Sequence, residues 1–160
     1  MMHTAMMHTI MMHTVSRPVA SAKLPIVDFK TDDRLFAVLD EGCNSTCHTK
    51  DFIKKAIPIL HQYGREVGEL TGDVKRYKGV GAATTVGSRI IPWGVALFNG
   101  SYIVGEIKSN ELDKSGDLYM LLSLRAQGTL GIVKDVQTGT CYLKEYKDYC
   151  QLYEVAGSGL

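Results

Sequence analysis

The chain has 160 residues, 45% hydrophobic and 22% charged, which suits one globular domain with a core of its own. A net charge of +1 gives no reason to expect nucleic acid or a membrane surface as the main partner, and no apolar run approaches the ~18 residues of a spanning helix. Four cysteines in a chain of this length do not make a disulfide scaffold, and they are read as reduced and intracellular (cytoplasmic).

Residues 1–15 are three copies of one pentapeptide, MMHTA, MMHTI and MMHTV. His3, His8 and His13 are five apart, so a helix turns each by about 140° from the last and a strand sends them to alternate faces. Neither regular structure gathers them around a metal. Residues 1–23 are therefore read as a low-complexity repeat and linker, expected to be disordered, with the folded domain spanning 24–160. An organelle-targeting peptide is the alternative for this stretch, since no acid precedes Asp28.

From Leu24 the pattern is mainly β. Pro25 to Phe29 is a short extended segment, Thr31-Asp32-Asp33 is a turn, and Leu35 to Leu39 is a strand apolar on both faces, hence central. The best helix candidate begins at Thr49, an N-cap with Asp51 in the first turn. Phe52, Ile53, Ala56, Ile57 and Leu60 follow at helical spacing, and Pro58 is expected to kink or end the helix. Val74 to Lys78 and Thr84 to Val86 flank the glycine tip Gly79-Val80-Gly81, a hairpin signature. Ile90 to Phe98 and Ser101 to Ser109 form a second hairpin around Asn99-Gly100. An apolar run at 118–124 precedes a short helix at 125–130. A last hairpin pairs Ile132 to Val136 with Cys141 to Leu143, and the residues around Tyr146 to Tyr153 read equally as strand or helix.

Within this frame, Ala37-Val38-Leu39-Asp40-Glu41-Gly42 delivers a carboxylate from a buried strand into a glycine turn. With the glycine-tipped hairpin about forty residues on and the late segment Leu121-Leu122-Ser123-Leu124-Arg125-Ala126-Gln127, the order resembles the retropepsin-like aspartic proteases of retrotransposon and retrovirus polyproteins. The resemblance covers roughly Pro25 to Leu143. It implies a mainly β, retropepsin-like closed β-barrel with one or two short helices, and proteolysis without a cofactor or metal. Carried over by position, Asp40 is the catalytic aspartate, and Glu41 and Gly42 complete the active-site loop. Tyr77, Gly79, Val80 and Gly81 belong to the flap over the substrate, and Leu121-Leu122-Ser123 packs behind the loop. The partners implied are a peptide or polyprotein substrate and a second copy of the chain.

That chemistry needs two carboxylates around one water, one ionised as base and one protonated as acid, because like charges held close share a proton. One Asp-x-Gly supplies one carboxylate, so an active enzyme is expected to be a homodimer with an Asp40 from each chain at the two-fold axis. Two departures from the family pattern stand out. Glu41 replaces the usual Thr or Ser, whose hydroxyl braces the loop, and Ser123 stands where the family has Gly. Two copies of Glu41 beside the axis add two acids, so dimerisation is expected to be weaker and more dependent on acid pH.

Three other readings stay open on the sequence. Cys43, Cys47 and His48 offer a metal set, although C-x3-C-H is not the usual zinc spacing. Cys43 with His48 or His61 offers a nucleophile and base, without an evident third group. A catalytically inactive retropepsin-like module, binding peptides or dimerising, is the principal alternative.

Overall fold

A computed structural model describes residues 5–9, 24–72, 74, 76–77, 83–116 and 119–157. Among them are eleven strands and two helices: β1 (Ala5–Thr9), β2 (Ile26–Val27), β3 (Leu35–Asp40), β4 (Cys47–Thr49), α1 (Lys50–Gln62), β5 (Arg76–Tyr77), β6 (Ala83–Ala96), β7 (Tyr102–Leu112), β8 (Met120–Ser123), α2 (Leu124–Leu130), β9 (Ile132–Asp135), β10 (Thr140–Leu143) and β11 (Asp148–Val155). The fold is mainly β. The strands run in the order β5-β6-β7-β4-β8-β3-β1-β11-β10-β9, with β2 beside β11. This path has two ends, β5 and β9, and does not close into the expected barrel among the described residues.

β3 is central, as its composition implies. It lies parallel to β8 and antiparallel to β1, and it buries side chains on both faces. Leu35, Ala37 and Leu39 enter the main core with Phe52 and Leu60 of α1, Ile91 and Val95 of β6, and Met120 and Leu122 of β8. Phe36 and Val38 enter a smaller cluster with Val27 and Tyr153. The Arg34 guanidinium lies 5.2 Å from the Phe36 ring centre and 5.1 Å from that of Tyr153, closing the end of this cluster.

Strand β1 departs from the expectation for residues 1–23: Ala5–Thr9 lies between β3 and β11, with Met7 opposite Ala37 on one side and Leu152 on the other. Strands β3 and β11 each have a backbone edge that needs partners, and β1 supplies them.

Helix α1 starts as read, with the Phe52 N–H donating to Thr49 Oγ1 at 3.2 Å. Pro58 does not end it. Pro58 and Lys54, whose carbonyl loses a partner, both lie on the exposed side, where water can take that carbonyl. Ile57 also lies there, 48% exposed, rather than in the core. The β6–β7 hairpin forms around Asn99-Gly100, with the Ser101 N–H donating to Asn99 Oδ1 at 2.8 Å. Strand β6 is one long strand with an irregularity at Gly87, where φ is +141° and a Cβ would come within 2.8 Å of the Thr71 carbonyl. The region around Tyr146 to Tyr153 resolves as β11.

Candidate active site

Two parallel strands end side by side at the candidate site. Asp40 is the last residue of β3, and its register partner on β8 is Ser123. Leu121 and Leu122 pair with Val38 and Leu39, so the late apolar segment does lie against the strand that carries the acid. Asp40 is half-buried. Its Oδ1 accepts the Gly42 N–H at 2.8 Å, and its carbonyl accepts the Cys43 N–H at 3.3 Å, which turns the chain back on itself.

The far end of this loop is clamped. Thr46 is buried; its hydroxyl donates to Ser123 Oγ at 3.2 Å and accepts the Ser123 N–H at 3.2 Å. Ser123 Oγ also accepts the Ala126 N–H at 3.3 Å and so caps α2. The Asn110 N–H donates to the Thr46 carbonyl at 3.0 Å, tying the loop to β7 as well. Within the chain, the loop hydroxyl that braces β8 therefore comes from Thr46, six residues after Asp40, and not from the position of Glu41.

Glu41 is exposed and forms an ion pair with Lys134 of β9. The hydrogen bond from that ammonium, and its charge, hold the Glu41 carboxyl below its ordinary range. Each Glu41 thus has a cation within its own chain, a compensation not visible in the like-charge count. Tyr77 lies in β5 opposite Ala83, on the stem of the expected flap. Gly79, Val80 and Gly81 lie outside the described residues.

Cys43 and Cys47 approach one another, with their sulfurs 3.9 Å apart. His48 does not join them. It is fully buried, with Nδ1 2.7 Å from Ser109 Oγ and Nε2 3.4 Å from Glu111 Oε2, and Arg89 Nε donates to the same Glu111 oxygen at 2.5 Å. Among the described residues, no three metal-ligating side chains converge. Both nitrogens of His48 are engaged away from Cys43, so His48 serves neither the cysteine–histidine nucleophile nor the three-residue metal set. His61 lies in the last turn of α1.

The Ser109–His48–Glu111 row has the residue types of a hydrolytic triad but no route to a substrate, since Ser109 and His48 are 0% exposed. Burial pushes the His48 imidazole down to about 4, against the opposing pull of Glu111. At neutral pH it is uncharged, and its partners are satisfied with the proton on Nε2 and the Ser109 hydroxyl donating to Nδ1. For Glu111, burial acts to raise the carboxyl, but the hydrogen bonds from Arg89 and His48 outweigh it and the net shift is downward. The register pairs His48 with Glu111 and Arg89 with Ser109, so this row pins β4 and β6 to β7.

No family model matches the chain, and no curated protein matches it.

Proposed function

We propose that this chain is the subunit of a retropepsin-like aspartic endopeptidase of a retroelement polyprotein, with Asp40 from each of two copies activating the water that cleaves a peptide bond. The observation that carries this reading is the seating of Asp40. It sits half-buried at the end of a core strand, its carboxylate is oriented by the Gly42 N–H, and its loop is clamped to β8 through Thr46 and Ser123. A carboxylate held this way is accessible yet fixed, as proton transfer with a positioned water requires. In a homodimer the two Asp40 carboxyls share one proton, so that one serves as base and the other as acid. The β5–β6 hairpin, with Tyr77 on its stem, covers a peptide bound as an added strand. The closed barrel is the finer architecture that goes with this reading.

The test is hydrolysis of a mixed peptide library by the purified chain between pH 4 and 7, beside Asp40→Asn. Cleavage by the parent and none by the variant is the expected result. A folded dimer that cleaves nothing would overturn it and favour the non-catalytic peptide-binding or dimerisation module. The observation on that side is Glu41, engaged by Lys134 where the family carries a bracing hydroxyl.

A further inference from the structure

The four cysteines fall into two pairs that differ in access. Cys141 and Cys150 are direct partners across β10 and β11, and both are 0% exposed. Cys43 and Cys47 flank the loop that follows Asp40; Cys47 is buried, whereas Cys43 is only partly so. Their sulfurs lie 3.9 Å apart, within reach of a bond of about 2 Å after a small movement of a five-residue segment. All four are thiols in this structure.

We propose that Cys43 and Cys47 form a reversible dithiol–disulfide switch, oxidised by a hydroperoxide, with Cys43 as the attacking thiol and Cys47 as the resolving one. The Cys43 sulfur attacks the peroxide O–O bond, becomes a sulfenic acid and releases one water or alcohol. The Cys47 thiol then attacks that sulfur, expels a second water and leaves the disulfide. Two thiols lose two electrons and two protons, and one hydroperoxide is reduced. The division of labour follows from access and from proton sharing. Cys43 is the more accessible of the two sulfurs, and the contact between them holds the Cys43 thiol below its ordinary range while the same contact and burial push Cys47 up. The disulfide closes a ring over Asn44, Ser45 and Thr46. It therefore acts on the clamp between Thr46 and Ser123, the register partner of Asp40 on β8.

The oxidation is measured on thiols and stands apart from the peptidase reading. The full chain is treated with hydrogen peroxide, alkylated and digested with trypsin under non-reducing conditions. Both cysteines of the loop lie in one peptide, Leu35 to Lys50, whereas Cys141 and Cys150 lie in separate peptides divided at Lys144 and Lys147. The Leu35–Lys50 peptide is expected to lose two hydrogens at least tenfold faster than the Cys141 and Cys150 peptides become linked, and to regain them with dithiothreitol. Cys47→Ser is expected to trap a sulfenic acid at Cys43, and Cys43→Ser to remove the fast phase. Faster linking of Cys141 to Cys150 would overturn the proposal, as would over-oxidation of Cys43 in the parent without a disulfide. If peptide cleavage is absent but the fast loop disulfide forms, the peptidase reading fails and the switch stands.

Discussion

The Asp40 loop and the His48 row both gather groups capable of chemistry, yet they are built in opposite ways. His48 and Ser109 are sealed from solvent and engage each other, with Glu111 and Arg89 completing the row. Asp40 is half-buried, and its Oδ1 accepts the Gly42 N–H on the loop itself. The buried row holds strands together and has its polar groups satisfied internally. The loop presents its acid while the support is placed behind it, in Thr46 and Ser123. Residue type alone would rank the serine–histidine–glutamate row above a single aspartate. Access reverses that order.

The two regions are expected to differ most in activity. Asp40→Asn is expected to lower peptide hydrolysis by ~10³-fold or more without unfolding the chain. Ser109→Ala is expected to leave hydrolysis within about twofold and to cost about 1–2 kcal/mol of stability, because it leaves a buried His48 nitrogen without its partner. Equal losses of activity in the two variants would erase the distinction.

The next effect is a dependence on pH. An unfolded histidine takes its proton near pH 6.5, and buried His48 only near 4. Between those values the unfolded chain binds more protons, so the contribution of His48 is complete above about pH 6.5 and is lost as pH falls toward 4. Its size is about 3 kcal/mol. Urea titrations at pH 7 and 4.5 are expected to show this loss in the parent and a smaller one in His48→Asn. An unchanged slope in the variant would contradict the burial argument.

On the loop side, Thr46→Val keeps the shape and removes the hydroxyl. The expected cost is about 1–2 kcal/mol, with hydrolysis falling further than in Ser109→Ala at equal stability, because the clamp supports Asp40. The smallest effect on folding belongs to Lys134→Ala, at most about 0.5 kcal/mol, because the Glu41 side of the pair is exposed to solvent. Its larger consequence concerns assembly. With Lys134 gone, the Glu41 charges are uncompensated, so sedimentation is expected to show a tighter dimer at pH 5 than at pH 7.5. In the parent that difference is smaller. Identical behaviour of the two proteins would show that Lys134 does not compensate Glu41 in the dimer.

The apolar patterns made most strands legible in the sequence. Leu35 to Leu39 reads as a strand buried on both faces, and each face has its own cluster. Asn99-Gly100 and the Thr49 cap are local signals, and both elements form where those signals stand. Strand β4 has no such signal: Cys47, His48 and Thr49 are extended because β7 and β8 lie on either side. Ile57 fits the apolar spacing of α1 but falls at the edge of its buried stripe. The site divides in the same way. Asp40 and Gly42 are legible because strand, acid and glycine are adjacent. Thr46 was not, since its partner Ser123 is 77 residues away, and Lys134 lies 93 residues from Glu41.

A working site that takes an Asp40 from each of two chains, as proposed, is revealed by mixing parent and variant chains. A fixed amount of parent chain is combined with increasing amounts of Asp40→Asn, and hydrolysis of one cleaved peptide is followed. Activity is expected to fall progressively as parent chains are drawn into mixed dimers holding one aspartate. Activity that stays constant under excess variant would show that a single chain carries the whole site, and would contradict the two-chain site.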